Sequence, residues 1–236
     1  MRALWEWCVV GYVRLVEPFI EWLVRIGVKP NTLTTLGTVS SCLAGLAFAS
    51  GHIRTGGIIL TVTAVFDLAD GQVARRTNSS TVFGAFYDST LDRVADGFLF
   101  GGLTFYFASS EAHRSLPMVA VGLLGIIGAF VTSYTRSRAE SLGVEMKGVG
   151  MMERPERITL LAAPQALFGL ALDGLVLRLI LSLLSATALV TAAQRIAHVR
   201  AATQPRAGVP GPAHAVTADE APVRDPSSPE APLPSD

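Results

Sequence analysis

The sequence predicts an all-α integral membrane protein. Half of its 236 residues are hydrophobic and only 16% are charged, whereas soluble domains carry about 25% charged residues. Residues 32–51 and 115–135 contain no charged side chain, and each stretch is about as long as the 20 residues that a membrane-spanning helix needs. Lys and Arg together balance Asp and Glu at 19 each, so no excess of positive charge points to a nucleic acid as partner.

Residues 1–28 are expected to form an amphipathic helix in the membrane interface. Four charged residues share one narrow face of this helix: Arg14, Glu17, Glu21 and Arg25. Aromatic and aliphatic side chains occupy the other side, which is typical of an interfacial helix. Pro18 is expected to break or kink it. The alternative is a first spanning helix, which the cost of centrally placed charges disfavours.

Residues 29–200 are expected to form a domain of six transmembrane helices. The predicted spans cover about residues 32–51, 56–75, 83–109, 116–141, 156–173 and 176–198. Among the Lys and Arg residues that lie outside the spans or near their ends, 14 up to Arg206 fall on the side of both termini and three on the other side. The positive-inside rule then places both termini in the cytoplasm, as an even number of spans requires. This pattern predicts a multi-pass protein of the cell membrane.

Residues 201–236 are expected to be a disordered cytoplasmic tail. They hold eight of the 13 prolines together with Ala, Ser and scattered acidic residues. A segment of this composition does not bury a core of its own.

Five of the 19 acidic residues lie in one stretch of thirty residues that belongs to the second and third predicted spans: Asp67, Asp70, Asp88, Asp92 and Asp96. Spacings of three and four residues place Asp67 with Asp70, and Asp88 with Asp92, on one face of a helix. Small residues accompany both pairs: Gly71, Ala74, Gly84, Ala85 and Ser89. Because small residues let helices approach closely in lipid, the two acidic faces are expected to converge.

Converging carboxylates in a medium of low dielectric constant repel one another unless cations or protons neutralise them. Two divalent cations balance the charge of Asp67, Asp70, Asp88 and Asp92. A ligand set of oxygens without His or Cys favours Mg²⁺ or Mn²⁺, and a pair of such ions is typical of phosphoryl transfer.

Two other interpretations of the aspartates remain open. In one, they cap loops or pair with nearby arginines, namely Arg75, Arg76 and Arg93. In the other, they line an ion or proton pathway through the membrane.

The acidic segment resembles the signature of the CDP-alcohol phosphatidyltransferase family. Eight fixed positions match across 26 residues: Asp67, Asp70, Gly71, Ala74, Arg75, Gly84, Asp88 and Asp92. An ion pathway does not explain the two small residues and the arginine at fixed spacing. The resemblance covers the chain except the tail, and it implies CDP-diacylglycerol as donor, an alcohol as acceptor, release of CMP, and a homodimer among membrane lipids.

The resemblance also implies a role for each matching aspartate. Asp67, Asp70 and Asp88 would be metal ligands, with Asp70 bridging both ions. Asp92 would be a further ligand or the general base that accepts the proton of the attacking hydroxyl. Asp96 continues the same helical row but lies outside the signature, so it is expected to matter less.

Six residues are expected to contact the CDP-lipid: Asn31, Thr34, Gly71, Ala74, Arg75 and Thr81. By the resemblance, Gly71 and Ala74 leave room for the cytosine and ribose, while Arg75 holds a diphosphate oxygen. For Asn31 and Thr34 the alternative is helix capping, because Asn and Thr are favoured caps.

Four arginines are expected to bind the phosphate of the acceptor: Arg136, Arg138, Arg154 and Arg157. They flank the loop between the fourth and fifth predicted spans, and guanidinium groups bind phosphate dianions in a bidentate manner. An acceptor that already carries a phosphate is therefore favoured over free serine, choline or inositol. The alternative is that these arginines obey the positive-inside rule and bind lipid headgroups.

The segments 133–140 (Ser-Tyr-Thr-Arg-Ser-Arg-Ala-Glu) and 153–157 (Glu-Arg-Pro-Glu-Arg) resemble the phosphatidylinositol-phosphate synthase branch of actinobacteria and the related archaeal enzymes. This resemblance implies inositol 1-phosphate as the acceptor and a bacterial or archaeal source. Arg136 stands where that branch more often has Lys. The alternative within the family is a phosphatidylglycerophosphate synthase, and a non-catalytic lipid-binding scaffold is an alternative outside it.

Overall fold

A computed structural model describes residues 16–152 and 154–204, and every regular element in these ranges is an α-helix. The first helix, α1, is described over residues 16–25. Six further helices follow: α2 (Pro30–Ala49), α3 (Ile53–Arg76), α4 (Val82–Ser109), α5 (Leu116–Ser141), α6 (Arg154–Phe168) and α7 (Leu175–Thr203). The all-helical prediction is confirmed for the described residues.

Helix α1 packs its apolar side against α2 and α3. Val16, Ile20 and Leu23 are buried in a small core that also contains Ala69 and Val73 of α3. The charged side faces outwards, as the helical wheel predicts, and the helix continues through Pro18 without a break. Residues 1–15 of the predicted interfacial helix lie outside the described residues.

Among the described residues, four helices are long and apolar enough to cross a membrane: α2, α3, α5 and α7. Helix α4 has 28 residues, but Asp88, Asp92, Arg93 and Asp96 lie within it. Helix α6 has 15 residues, which corresponds to about 22 Å against the roughly 30 Å of a hydrocarbon core. Six spans therefore stay a prediction, although all six predicted segments are helical.

Two helix ends differ most from those predicted. Helix α6 ends at Phe168 instead of residue 173, because Gly169, Leu172 and Asp173 adopt positive φ angles of 54°, 57° and 55°. Such left-handed residues terminate a helix. Helix α7 continues to Thr203, so the first three residues of the predicted tail are helical. The rest of the tail, from residue 205, lies outside the described residues.

Glycine allows α2 and α4 to pack in backbone contact. A Cβ atom on Gly102 of α4 would clash with the carbonyl group of Gly45 in α2. Glycines at helix crossings let backbones approach closely where the apolar solvent provides no hydrophobic driving force. This crossing fixes α4 against α2.

The helices alternate in direction, so several of their ends meet at one end of the bundle. Helix α2 begins there, α3 ends there, and α4 and α6 begin there. The main core lies towards the other end, around Phe48, Leu60, Leu99, Phe107 and Leu181. Many large apolar side chains outside this core are exposed, including Leu43, Val62, Ile127 and Leu183, as expected for helices surrounded by lipid.

Candidate active site

Two aspartates from neighbouring helices share one arginine. Arg154, the first residue of α6, places Nη1 2.9 Å from Oδ2 of Asp67 in α3 and 2.8 Å from Oδ1 of Asp92 in α4. The predicted convergence of the two acidic faces is therefore present in the structure. The arginine was expected beside an acceptor phosphate, and here it is paired with two of the predicted metal ligands.

A second ionic cluster centres on Asp96, one turn further along α4 than Asp92. Its side chain is only 3% exposed, and three guanidinium groups surround it. The distances are 3.5 Å to Arg93, 3.7 Å to Arg154 and 3.7 Å to Arg157. Although Asp96 lies outside the family-like signature, it connects α4 to both arginines of α6.

Asp70 is held by α2. Thr34 donates a hydrogen bond from Oγ1 to Asp70 Oδ2 at 2.9 Å, and it also contacts the carbonyl oxygen of Pro30 at 3.2 Å. Helix α2 begins at Pro30, and Lys29 occupies its N-cap position without a side-chain capping bond. Capping is therefore not the role of Asn31 or Thr34.

The start of α4 lies against the start of α2. Thr81 is the N-cap residue of α4, and its Oγ1 accepts a hydrogen bond of 2.9 Å from the backbone N–H of Gly84. A Cβ atom on Gly84 would lie 3.1 Å from that oxygen and 3.3 Å from Oδ1 of Asn31. Asn31, Thr81 and Gly84 therefore form one cluster, and Gly84 is needed there because larger residues would crowd it.

Arg75 lies along its own helix over Gly71. A Cβ atom on Gly71 would be 3.5 Å from Arg75 Nη1, which is an ordinary van der Waals distance. Arg75 is exposed, and Ala74 beside it is partly buried. Its neighbour Arg76 binds Glu17 of α1 at 2.7 Å, so Arg76 pairs with an acid that is not one of the aspartates.

The four signature aspartates act on one another electrostatically. Asp67 and Asp88 both repel Asp70, and the same two residues repel Asp92. Within the described parts of the chain, no three acidic, His or Cys side chains stand close enough together to hold a metal ion. The guanidinium group of Arg154 occupies the space between Asp67 and Asp92.

The four predicted acceptor arginines fall into two groups. Arg154 and Arg157 both contact Asp96, and they are largely buried, with 17% and 8% of their side chains exposed. Arg136 forms an ion pair of 2.9 Å with Glu140 in the last turns of α5 and is half exposed. Arg138 is exposed at the same helix end.

One residue of the site did not emerge from the sequence, and a second was expected only as an ion-pair partner of the aspartates. A Cβ atom on Gly37 of α2 would lie 3.0 Å from Oδ1 of Asp67, so this glycine makes room for that carboxylate. Arg93 contacts both Asp92 and Asp96. The four-residue spacing of Asp88, Asp92 and Asp96 places these carboxylates in one row along α4. This row is the sequence signal for the contacts of Arg93.

Residues 28–199 match the CDP-alcohol phosphatidyltransferase family. The chain is 38% identical over 195 residues to the phosphatidylinositol phosphate synthase of Streptomyces avermitilis, covering 80% of this chain and 79% of that protein. It is 37% identical over 150 residues to the archaetidylinositol phosphate synthase of Methanothermobacter thermautotrophicus, covering 64% of this chain and 71% of the relative.

Solved structures of similar fold come from Mycobacterium tuberculosis. The crystal structure of its phosphatidylinositol phosphate synthase with CDP-DAG bound superposes with a TM-score of 0.69 at 33% identity, covering 79% of this chain and 94% of that one. The same protein in complex with manganese and citrate gives a TM-score of 0.71 at 32% identity, covering 83% and 92%.

Proposed function

This chain belongs to the CDP-alcohol phosphatidyltransferase family, and we propose that it transfers the phosphatidyl group of CDP-diacylglycerol to inositol 1-phosphate. A hydroxyl oxygen of the acceptor forms a bond to the lipid-side phosphorus, the diphosphate P–O bond breaks, and CMP leaves. The observation that carries the proposal is the pairing of carboxylates from α3 and α4 with arginines from α6. This pairing supports a site for cations beside a site for a phosphate.

The donor set fits divalent cations. Asp67, Asp70, Asp88 and Asp92 offer only carboxylate oxygens, which suit Mg²⁺ or Mn²⁺, and they come from two facing helices. Thr34 orients Asp70 through a hydrogen bond of 2.9 Å, as residues behind metal ligands commonly do. When bound, two such cations would stabilise the negative charge that develops on the transferred phosphate.

Asp92 is the residue best placed to accept the proton of the attacking hydroxyl. It lies between the signature aspartates and the cluster of arginines, and its Oδ1 contacts Arg154 while its Oδ2 lies 3.7 Å from Arg93. An acceptor whose phosphate binds Arg154 and Arg157 would present its hydroxyl on the side of Asp92. Fixing the hydroxyl next to its base and next to the donor lowers the entropic part of the barrier.

The CDP-lipid is expected to bind where α2, α3 and α4 meet. Six residues at these helix ends would contact it: Asn31, Thr34, Gly71, Ala74, Arg75 and Thr81. The small residues leave space for the nucleoside, and the exposed guanidinium group of Arg75 is free to turn towards a diphosphate oxygen. Asn31 and Thr81 already lie side by side around Gly84.

The acceptor phosphate would be bound by arginines from two helices. Arg154 and Arg157 would provide its buried side, and Arg136 and Arg138 at the end of α5 would approach from the exposed side. Charge-assisted bonds to guanidinium groups select a phosphate ester over a free polyol. The names of the relatives favour inositol 1-phosphate over glycerol 3-phosphate, which carries the same phosphate group.

In the cell, six spans, a cytoplasmic site and cytoplasmic termini would follow from the charge distribution. The polar substrates are made in the cytosol, which agrees with this orientation. We further infer from the family a homodimer in a bacterial or archaeal cell membrane. The catalytic domain would cover residues 29–200, with the interfacial helix before it and the tail after it.

CMP release tests this function against an ion or proton pathway. Purified protein with CDP-diacylglycerol and Mg²⁺ should release CMP only when inositol 1-phosphate is added, and chelation of the metal should stop release. A pathway protein or a lipid-binding scaffold would release none under any of these conditions. Inositol and serine serve as acceptors without a phosphate and should support little release.

A further inference from the structure

We propose that Arg154 competes with divalent cations for Asp67 and Asp92, and that the acceptor phosphate binds the arginine once cations have displaced it. The proposal rests on the proposed function and assigns Arg154 a part in the order of binding. The contact that suggests it is a single nitrogen, Nη1, which bonds to both carboxylates at 2.9 and 2.8 Å.

Electrostatic repulsion separates Arg154 from a cation bound to Asp67 and Asp92. A cation bound to these carboxylates would lie about 2.1 Å from their oxygens, as Mg²⁺ does in proteins. A guanidinium nitrogen 2.8 Å from the same oxygen would then be within a few ångströms of a charge of +2. The side chain of Arg154 is 17% exposed, so solvent screens this repulsion only weakly. The cation and Arg154 therefore exclude each other at Asp67 and Asp92.

The formal charge of the site couples cations to the acceptor phosphate. Five aspartates face three arginines: Asp67, Asp70, Asp88, Asp92 and Asp96 against Arg93, Arg154 and Arg157. The cluster has a formal charge of −2, which two divalent cations would change to +2. A phosphate dianion matches that charge, so cations and acceptor phosphate complement each other at the site.

Asp96 keeps Arg154 close to the site when the contacts of its Nη1 change. Its Nε lies 3.7 Å from Oδ1 of Asp96, which is 3% exposed and is also contacted by Arg157. Asp96 therefore retains the base of the guanidinium group while Nη1 exchanges carboxylates for a phosphate. Binding of cations and of acceptor phosphate becomes positively coupled, and each raises the affinity for the other.

Direct binding of Mn²⁺ to the full-length protein in detergent, followed by electron paramagnetic resonance without any lipid donor, tests the competition. Arg154→Gln should bind Mn²⁺ about tenfold more tightly than the natural sequence, within the usual range of coupling between sites. Arg154→Lys retains the positive charge, so its Mn²⁺ affinity should stay close to that of the natural sequence. Arg157→Gln removes an equal charge that contacts Asp96 only, so its effect should be smaller.

A gain in Arg157→Gln equal to that in Arg154→Gln would overturn the proposal, because general electrostatics would then explain both. An unchanged Mn²⁺ affinity in Arg154→Gln would overturn the proposal as well. This measurement involves neither turnover nor an acceptor, so its result does not depend on whether the acceptor has been assigned correctly.

Adding inositol 1-phosphate tests the coupling. The acceptor should raise Mn²⁺ affinity in the natural sequence and in Arg25→Gln, whose exposed guanidinium group pairs with Glu21 of α1, but much less in Arg154→Gln. An equal response in Arg154→Gln would show that the acceptor acts on the metal site without this arginine, and the coupling would be refuted.

Discussion

Thr34 in α2 donates a hydrogen bond of 2.9 Å to Oδ2 of Asp70 in α3. The two residues are 36 positions apart, and the bond joins the start of one helix to the acidic end of the next. It fixes one oxygen of a carboxylate that is proposed to bind both cations. The other oxygen of Asp70 then has a defined direction, which a ligand shared by two ions requires.

Thr34→Val should therefore impair the metal site while preserving the fold. Valine has the same shape but no donor, and loss of a residue that orients a metal ligand typically costs 10- to 100-fold in affinity or activity. We expect kcat to fall about tenfold and the apparent Mn²⁺ affinity to fall with it. The control is Thr38→Val, because that hydroxyl bonds only to a carbonyl group of its own helix at 2.9 Å. An equal loss in both variants would contradict the role of Thr34.

Replacing the signature aspartates should have the largest effect. Each of the Asn variants at Asp67, Asp70, Asp88 and Asp92 should nearly abolish CMP release, because it removes one charge from the four that balance two cations. Asp96→Asn should retain more activity and should mainly raise the KM for the acceptor, since Asp96 contacts Arg154 and Arg157. If Asp96→Asn is as inactive as Asp92→Asn, the proposed ligand set is wrong.

Replacing different arginines should weaken the binding of different substrates. Arg138→Ala and Arg157→Ala should raise the KM for inositol 1-phosphate at least tenfold, because a charge-assisted hydrogen bond contributes roughly 1.5–3 kcal/mol. The KM for CDP-diacylglycerol should change little, and kcat should be nearly intact if only uniform binding is lost. Arg75→Ala should show the opposite pattern and weaken the donor. Unchanged acceptor KM values in the Ala variants of Arg136, Arg138, Arg154 and Arg157 would mark these arginines as topology signals.

A single methyl group at Gly37 should disturb the site without unfolding the protein. In Gly37→Ala the new Cβ atom would lie 3.0 Å from Oδ1 of Asp67, so the carboxylate must shift. We expect weaker Mn²⁺ binding and a loss of activity of about tenfold, similar to other changes behind metal ligands. Gly101→Ala on α4 is the matched control, because its Cβ atom would meet nothing within 4 Å. Equal activity in the two variants would contradict the close contact.

The sequence predicted those parts of the site that depend on spacing within one helix. Asp67 with Asp70, and Asp88 with Asp92, share faces because three or four residues make one turn, and the small residues beside them indicated close approach. Contacts between helices were beyond such patterns. The bonds from Thr34 to Asp70 and from Arg154 to Asp67 and Asp92 depend on how distant segments pack.

The helix ends illustrate the same limit. Apolar residues continue past Phe168, so hydropathy extends the fifth predicted span to residue 173, whereas the backbone turns at Gly169 and then adopts positive φ at Leu172 and Asp173. Positive φ is uncommon for Leu, so the residue type does not predict it. Helix α2 begins at Pro30 and not at the predicted residue 32, because proline suits the first turn of a helix.

The most direct test of the account is the identity of the lipid product when two phosphorylated acceptors compete. Purified protein, CDP-diacylglycerol and Mg²⁺ are incubated with equal concentrations of inositol 1-phosphate and glycerol 3-phosphate, and the lipids are identified by mass spectrometry. The account predicts phosphatidylinositol phosphate as the main product, with an amount of CMP equal to the lipid formed. Phosphatidylglycerophosphate as the main product, or no lipid product from either acceptor, would contradict it.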